Sequence, residues 1–206
     1  MIPGILSIVA TPIGNLGDMT FRAVETLKSV DTVLSEDTRV TGNLLRHFEI
    51  KKPLVSFHEH TDADKADKLI ARMLAGEHMA LVTDAGTPGI SDPGNVLVAR
   101  AVEAGIRVVP IPGASALGAI VSVAGIDMRE FSFVGFPPHK KGRETFFKKV
   151  MASEVPVIYY ESPHRVIKNL ELLAELAPNK KLVLGRELTK VFEEVVRGSV
   201  SEVKEY

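Results

Sequence analysis

The chain has 206 residues, of which 45% are hydrophobic and 25% are charged, and its formal net charge is −1. These values are ordinary for a globular protein with a buried core. A net charge near zero excludes a protein whose whole surface attracts polyanions such as nucleic acid. Since there is no cysteine, disulfides and thiolate metal sites are excluded. No apolar run approaches the ~20 residues of a membrane-spanning helix, and residues 1–10 lack the basic start of a signal peptide. We therefore expect a cytoplasmic protein without membrane contact.

Short apolar runs alternate with amphipathic stretches through the first half of the chain. The apolar runs predict strands at residues 5–10, 32–35, 54–57, 79–83 and 106–111. The amphipathic stretches predict helices at residues 20–30, 39–48 and 63–75, the last stopped by Gly76, and a fourth helix that Asp92 caps and Pro93 begins. Strands that alternate with helices predict an α/β fold with a mostly parallel sheet and right-handed crossovers.

Pro110, Pro112 and Gly113 interrupt this alternation. They predict a boundary between an N-terminal α/β domain of residues 1–112 and a C-terminal α/β domain of residues 113–206. In the second half we expect helices at 114–124, 143–151 and 166–176, and strands at 131–136, 157–160 and 182–184. The pattern indicates no closing element after the last of these strands.

Three loops of the first half follow predicted strands, where open parallel sheets bind ligands. They comprise residues 11–18, 36–39 and 83–94. The third loop holds three glycines, two prolines, Asp84 and Asp92, but no basic residue. Neither a Walker phosphate loop nor a G-x-G-x-x-G motif occurs. A stiff acidic loop favours a cationic, hydroxyl-bearing ligand such as S-adenosylmethionine, and a purely structural turn is the alternative.

Other chemistries have weaker support. His58, His60 and Asp62 could be imagined as a metal cluster. His58 and His60 lie two residues apart at the end of a strand, but the sequence places no third ligand beside them, so we expect a surface loop and no metal. No G-x-S-x-G elbow indicates a serine hydrolase.

Basic residues gather in the second half, because residues 139–206 hold 13 Lys and Arg against 10 Asp and Glu, while residues 1–138 hold 12 against 16. The candidates for contact with RNA phosphates are Lys140, Lys141, Arg143, His164, Arg165 and Arg186. The segments 161–165 and 185–190 each follow a predicted strand, so we expect both at one edge of the second sheet. A solvated helix face is the alternative interpretation of residues 139–149.

Seven motifs occur together in the order that one known family shows. They are ATPIGNLGDMTFRA (10–23), SEDTRVTGNLL (35–45), VTDAGTPGISDPG (82–94), PGASA (112–116), FVGFPP (133–138), YESPHR (160–165) and GRELTK (185–190). With these motifs the chain resembles the tetrapyrrole methylase superfamily. Its first loop, Thr11-Pro12-Ile13-Gly14-Asn15, replaces the glycine-rich loop of tetrapyrrole-modifying members, which favours the branch that methylates ribosomal RNA.

The resemblance implies two α/β domains with a ligand cleft between them and S-adenosylmethionine as the methyl donor. It implies methylation of a cytidine ribose 2′-oxygen in small-subunit ribosomal RNA, and a homodimer. The implied donor-site residues are Pro12, Ile13, Asp84, Gly86, Thr87, Ser115 and Ala116, with Tyr160 and Glu187 from the second domain. Family members usually continue beyond the length seen here, so we expect the second domain to lack the family's usual tail.

Glu36 or Asp37 is the candidate general base, because a ribose hydroxyl is a poor nucleophile. Arg39 would orient a phosphate or carboxylate, and the alternative is that residues 36–39 only form a turn and a helix start. Two other functions stay open: a methyltransferase that acts on a tetrapyrrole or another small molecule, and a non-enzymatic RNA-binding assembly factor.

Overall fold

A computed structural model describes residues 2–58, 63–92 and 94–206. The chain forms two compact units, one up to Ala116 and one from Leu117 to Tyr206. The sequence-based boundary, between residues 112 and 113, falls shortly before this division. Pro93, expected to begin a helix, and His60 and Asp62 of the conceivable metal cluster lie outside the described residues.

The first unit is built on a five-stranded parallel sheet. Its strands are β1 (Ile5–Val9), β2 (Thr32–Ser35), β3 (Leu54–Ser56), β4 (Met79–Val82) and β5 (Arg107–Ile111). They are arranged in the order β3-β2-β4-β1-β5, and all neighbours run parallel. The predicted parallel sheet is therefore confirmed, with strand ends within a residue or so of those expected.

In the described residues, four α-helices connect these strands, with a short 3-10 helix (Leu16–Asp18) before the first of them, and local capping explains several of their bounds. They are α1 (Phe21–Ser29), α2 (Thr38–His47), α3 (Ala63–Leu74) and α4 (Gly94–Glu103). Before α1, the Thr20 hydroxyl accepts a hydrogen bond from the Ala23 amide at 3.1 Å, as expected of a helix cap. After α3, Gly76 takes a φ of 105°, the left-handed conformation that ends many helices.

The sheet of the first unit is buried on both faces. Alternate residues of β4 belong to different hydrophobic clusters: Met79 and Leu81 to one, Ala80 and Val82 to the other. This division follows from the strand period of two, which sends successive side chains to opposite faces. Burial of both faces is typical of a parallel sheet covered by crossover helices, and it leaves the strand ends as the exposed edges.

The second unit holds two separate strand pairs. Its elements are α5 (Ala116–Val123, whose first residue belongs to the first unit), β6 (Ser132–Phe133), α6 (Arg143–Ala152), β7 (Val157–Ile158), α7 (Pro163–Leu176), β8 (Lys181–Arg186), β9 (Glu194–Ser199) and α8 (Val200–Glu205). Strands β6 and β7 pair in parallel, whereas β8 and β9 form an antiparallel pair. The expectation that residues 161–165 and 185–190 share one sheet edge is therefore wrong, because no described strand joins the two pairs.

Three further boundaries differ from the predicted ones. Strand β6 ends early because Gly135 takes a φ of 65°, although the Tyr160 amide still donates to the Gly135 carbonyl at 2.8 Å. Helix α7 begins at Pro163, which places His164 and Arg165 on the helix. Gly185 and Arg186 belong to β8 itself rather than to the loop after it.

The closing elements β9 and α8 were absent from the predicted pattern. Helix α8 starts at a capping box: the Ser199 hydroxyl accepts from the Glu202 amide at 3.3 Å, and a Glu202 carboxylate oxygen accepts from the Ser199 amide at 2.7 Å. The spacing S-x-x-E is visible in the sequence and could have indicated this helix. Within the described ranges, no helix has the length and apolar character needed to cross a membrane.

We expect Leu34→Ala to lower the free energy of unfolding by about 2–5 kcal/mol, because Leu34 is fully buried in β2 between core side chains. Urea unfolding followed by circular dichroism measures this loss. Leu74→Ala is the matched control, since Leu74 ends α3 with 43% of its surface exposed and should cost less than ~1 kcal/mol. Equal losses for the two variants would contradict this description of the core.

Candidate functional site

At the carboxyl edge of the parallel sheet, hydrogen bonds join the three loops that follow β1, β2 and β4. Thr11, after β1, exchanges two backbone hydrogen bonds with Gly86, at 2.9 and 3.0 Å, and its hydroxyl donates to the Thr83 carbonyl at 3.1 Å. The Asp37 amide, after β2, donates to an Asp84 carboxylate oxygen at 3.1 Å. These contacts fix loop 83–94 against the loops on both sides of β4.

Gly86 occupies a position that a larger residue would disturb. It is buried and takes a φ of 89°, which favours glycine. A Cβ atom there would lie 3.2 Å from Cγ2 of Ile13 and 3.8 Å from the Ala114 carbonyl oxygen. The neighbouring Thr87 hydroxyl donates to the same Ala114 carbonyl at 3.1 Å. The residues predicted to bind the donor from the first domain therefore lie on loops that meet around Gly86.

Those predicted residues fall into three adjoining segments. They are Pro12 and Ile13 after β1, Asp84, Gly86 and Thr87 after β4, and Ser115 and Ala116 after β5. The structure thus brings these seven residues together within its first unit, at the edge where an open sheet binds ligands.

Asp92 holds the far end of loop 83–94 in shape. Its carboxylate oxygens each lie 2.8 Å from the Gly89 amide nitrogen, and one of them accepts from the Gly94 amide at 2.9 Å. The bond to Gly94, the first residue of α4, is the cap that the sequence predicted. Ser91 between them takes a φ of 62°, a conformation that a serine adopts only when its surroundings enforce it. Asp92 therefore fixes the shape of the loop and also gives it a negative charge.

Glu36 lies where β2 ends, beside a small recess. The recess is lined by Glu36, Phe57, Leu81, Val82, Thr83, Pro88, Asp92 and Gly94. Although the Glu36 residue is exposed overall, partial burial of its carboxyl raises the pKa, and the charges of Asp84 and Asp92 raise it further. His58 and a hydrogen bond with Thr83 act in the opposite direction. A carboxylate with a raised pKa is a better proton acceptor than an ordinary one.

Asp37 is placed for a structural role instead. Its carboxylate caps α2 by accepting from the Arg39 amide at 2.8 Å and also accepts from Nε and Nη2 of Arg39, the latter at 2.6 Å. Hydrogen bonds from Arg39 lower the pKa of Asp37 to about 2, so it is a weak base. Asp37 and Arg39 therefore form the hydrogen-bonded turn and helix start that was the alternative for residues 36–39. Glu36 stays the candidate general base.

In the second unit, Tyr160 lies at the end of the β7 ladder between two aromatic rings. Its ring centroid is 4.9 Å from that of Phe133 and 5.5 Å from that of Phe136, both edge to face. Glu187 follows β8 with a φ of 51°, and its carboxylate pairs with Lys190 at 3.1 Å. The contacts of Tyr160 and Glu187 with a donor stay predictions.

The six basic candidates for RNA contact divide into two groups. Arg165 is only 17% exposed and pairs with Glu161 at 2.6 Å, and Arg143 donates to the buried Asn169. These two arginines are engaged within the unit. The other four are exposed: Lys140, Lys141 and His164, and also Arg186, which lies 3.4 Å from Glu194.

A second carboxylate network was not indicated by the motifs alone. Besides Arg165, the Glu161 carboxylate accepts from the Ser162 amide at 2.6 Å and from the Asn169 side chain. The four-residue spacing of Glu161 and Arg165 at a helix start was the available signal. Among residues 2–58, 63–92 and 94–206, no group of three or more acidic or histidine side chains could hold a metal ion.

Comparison with known proteins places this geometry in a family. The family model described as Tetrapyrrole (Corrin/Porphyrin) Methylases matches residues 6–204. A ribosomal RNA small subunit methyltransferase I from Synechocystis is 48% identical over 98% of this chain and 74% of its own length. The protein of the same name from Bacillus subtilis is 45% identical over 97% of this chain and 69% of its own length.

A solved structure supports the fold alone. The uroporphyrin-III C-methyltransferase of Thermus thermophilus has a TM-score of 0.64 and 21% identity, covering 98% of this chain and 88% of its own.

These comparisons together confirm the predicted fold class and the predicted family relationship. The chain belongs to the tetrapyrrole methylase family and, within it, to the group of ribosomal RNA small subunit methyltransferase I.

Proposed function

We propose that the protein transfers the methyl group of S-adenosylmethionine to the 2′-oxygen of a cytidine ribose in small-subunit ribosomal RNA. The names of relatives at 45–48% identity support the RNA substrate, and the resemblance supports the cytidine 2′-oxygen. The observation that carries the chemistry is the acidic carboxyl edge. Glu36, Asp84 and Asp92 lie there, loop 83–94 has no Lys or Arg, and Asp37 neutralises Arg39.

The residues at this edge fit the donor's chemistry. S-adenosylmethionine has a positive sulfur, an ammonium group and ribose hydroxyls, which call for carboxylates and backbone acceptors rather than cations. Asp84, Thr87 and the backbone around Gly86 would hold it, beside Pro12 and Ile13. When bound, the donor supplies a methyl group already activated by the sulfonium. The protein then contributes mainly orientation, and the backbone bonds of Thr11 with Gly86 provide the rigidity that orientation requires.

Glu36 would accept the proton of the ribose hydroxyl as that oxygen is methylated. It lies beside Asp84, whose charge helps to raise the Glu36 pKa. Of the two candidate carboxylates, Asp37 is paired with Arg39, which lowers its pKa, whereas the pKa of Glu36 is raised. Family resemblance further supports a homodimeric, cytoplasmic enzyme, and both remain part of the proposal.

The proposed function is tested by incubating the full chain with unmethylated small ribosomal subunits and isotope-labelled S-adenosylmethionine. Nuclease digestion and mass spectrometry then locate the label. We expect one methyl group on a cytidine ribose. Label found instead on an added tetrapyrrole would support the small-molecule alternative, and failure to bind the donor by calorimetry would support an assembly factor; either result contradicts the proposal.

We expect Glu36→Gln to reduce the single-turnover methylation rate by about 100-fold or more, because loss of a general base typically costs 10²–10⁴. Donor affinity should fall far less than the rate. In the wild type, only ionised Glu36 accepts a proton, so the rate should fall as the pH drops through a pKa above the ordinary 4.5. The variant should lack this acidic limb. A rate equal to that of the wild type would remove Glu36 from the mechanism.

Asp84→Asn is the matched control, measured with saturating donor. The amide oxygen can still accept from the Asp37 amide, but the negative charge that raises the Glu36 pKa is gone. The acidic limb should therefore move to lower pH. If the acidic limb of the pH–rate profile does not move in Asp84→Asn, it reports the titration of a group other than Glu36.

A further inference from the structure

Phe136 is a large aromatic side chain on the surface of the second unit, with 52% of its area exposed. It lies in the loop after β6, where Gly135 turns the chain with a φ of 65°. Its ring packs edge to face against Tyr160, at a centroid distance of 5.5 Å. An aromatic ring that is anchored at one edge and exposed elsewhere is suited to stacking against another flat group.

The loop that carries this ring is anchored by a network of hydrogen bonds and an ion pair. Arg165 donates to the carbonyl of the next residue, Pro137, at 3.4 Å. Arg165 also pairs with Glu161 at 2.6 Å, and Glu161 accepts from Asn169, which is 1% exposed. Asn169 in turn accepts from Arg143 at the start of α6. This buried network fixes the loop between the starts of α6 and α7, so little conformational entropy is lost when a ligand contacts Phe136.

Positive charge follows the ring directly along the chain. Lys140 and Lys141 are exposed, and in the described part of the chain neither forms an ion pair. They come four and five residues after Phe136, so their Cα atoms lie within ~18 Å of it. A few nucleotides of single-stranded RNA span such a distance. Ring and lysines together have the composition of a single-strand binding element, in which an aromatic ring stacks on a base and cations contact the backbone.

We propose that Phe136 stacks on an unpaired base of the RNA substrate while Lys140 and Lys141 contact the adjacent phosphates. The inference rests on the proposed RNA substrate and names the part of the second unit that binds it. A protein partner is less favoured, because two unpaired lysines beside one ring match a polyanion better than an apolar surface. Phe192 shows the contrast: it is 77% exposed but is followed by Glu193 and Glu194.

The test measures binding of a short fluorescein-labelled single-stranded RNA of mixed sequence to the full chain by fluorescence anisotropy, across a salt series. We expect Phe136→Leu to weaken binding about tenfold, because stacking is lost while apolar volume stays. The salt slope should not change. Phe136→Trp should retain affinity. Replacing both Lys140 and Lys141 with Gln should lower the slope by about 1.4, or roughly 0.7 for each phosphate contact on a single strand.

Phe192→Leu is the matched control and should bind RNA like the wild type, and circular dichroism verifies that each variant is folded. Phe136→Leu binding equal to the wild type would overturn the inference. So would a loss of self-association in sedimentation with RNA affinity intact, which would make the ring a protein contact.

Methylation by the wild type is assayed in parallel: if it succeeds while Phe136→Leu binds normally, only this inference falls. If it fails altogether, the proposed function falls by itself.

Discussion

The paired backbone hydrogen bonds between Thr11 and Gly86, at 2.9 and 3.0 Å, are the constraint on which the candidate site depends. They join the loop after β1 to the loop after β4, at the edge where a parallel sheet exposes its strand ends. A Cβ atom there would be strained, since Gly86 takes a φ of 89°, and it would lie 3.2 Å from Cγ2 of Ile13. The loop that these bonds hold also carries Asp84, whose carboxylate accepts a hydrogen bond from the Asp37 amide at 3.1 Å.

Electrostatics divides the carboxylates of this edge into different roles. The carboxylates of Asp37 and Asp92 accept hydrogen bonds from backbone amides, and Asp37 also pairs with Arg39. Their hydrogen bonds shape the helix starts and the turn. For Glu36 the balance is different: partial burial and the charges of Asp84 and Asp92 raise its pKa, against the opposing effects of His58 and Thr83. An edge built in this way repels phosphates and attracts a cation, which is the opposite of a nucleotide-binding loop.

The first unit could be predicted from sequence because its signals are local. Buried strands appear as continuous apolar runs, Asp92 caps a helix by its position, and Gly76 ends one. The grouping of Pro12, Asp84 and Ser115 came from the family resemblance, and the parallel topology explains it. What the pattern could not resolve was the choice between Glu36 and Asp37, because that depends on where the Arg39 side chain goes.

The second unit was harder to predict for physical reasons. Strands β6 and β7 have only two residues each, and no residue of β9 is fully buried, so the apolar pattern is weak. Strand β9 and helix α8 are absent from the predicted pattern despite the Ser199–Glu202 capping box. Arg165 looked like a surface cation because sequence does not show burial; in the fold it is paired with Glu161. The exposed ring of Phe136 was hidden inside an apolar motif for the same reason.

Calorimetric titration of the wild type and Gly86→Ala with S-adenosylmethionine, and with adenosine triphosphate as the anionic comparison, tests the central claim most directly. We expect the wild type to bind the cationic donor and not the triphosphate. Gly86→Ala should lose at least about tenfold in donor affinity, since a Cβ there is strained and would crowd Ile13. Binding of the triphosphate in place of the donor, or unchanged donor affinity in Gly86→Ala, would contradict the account.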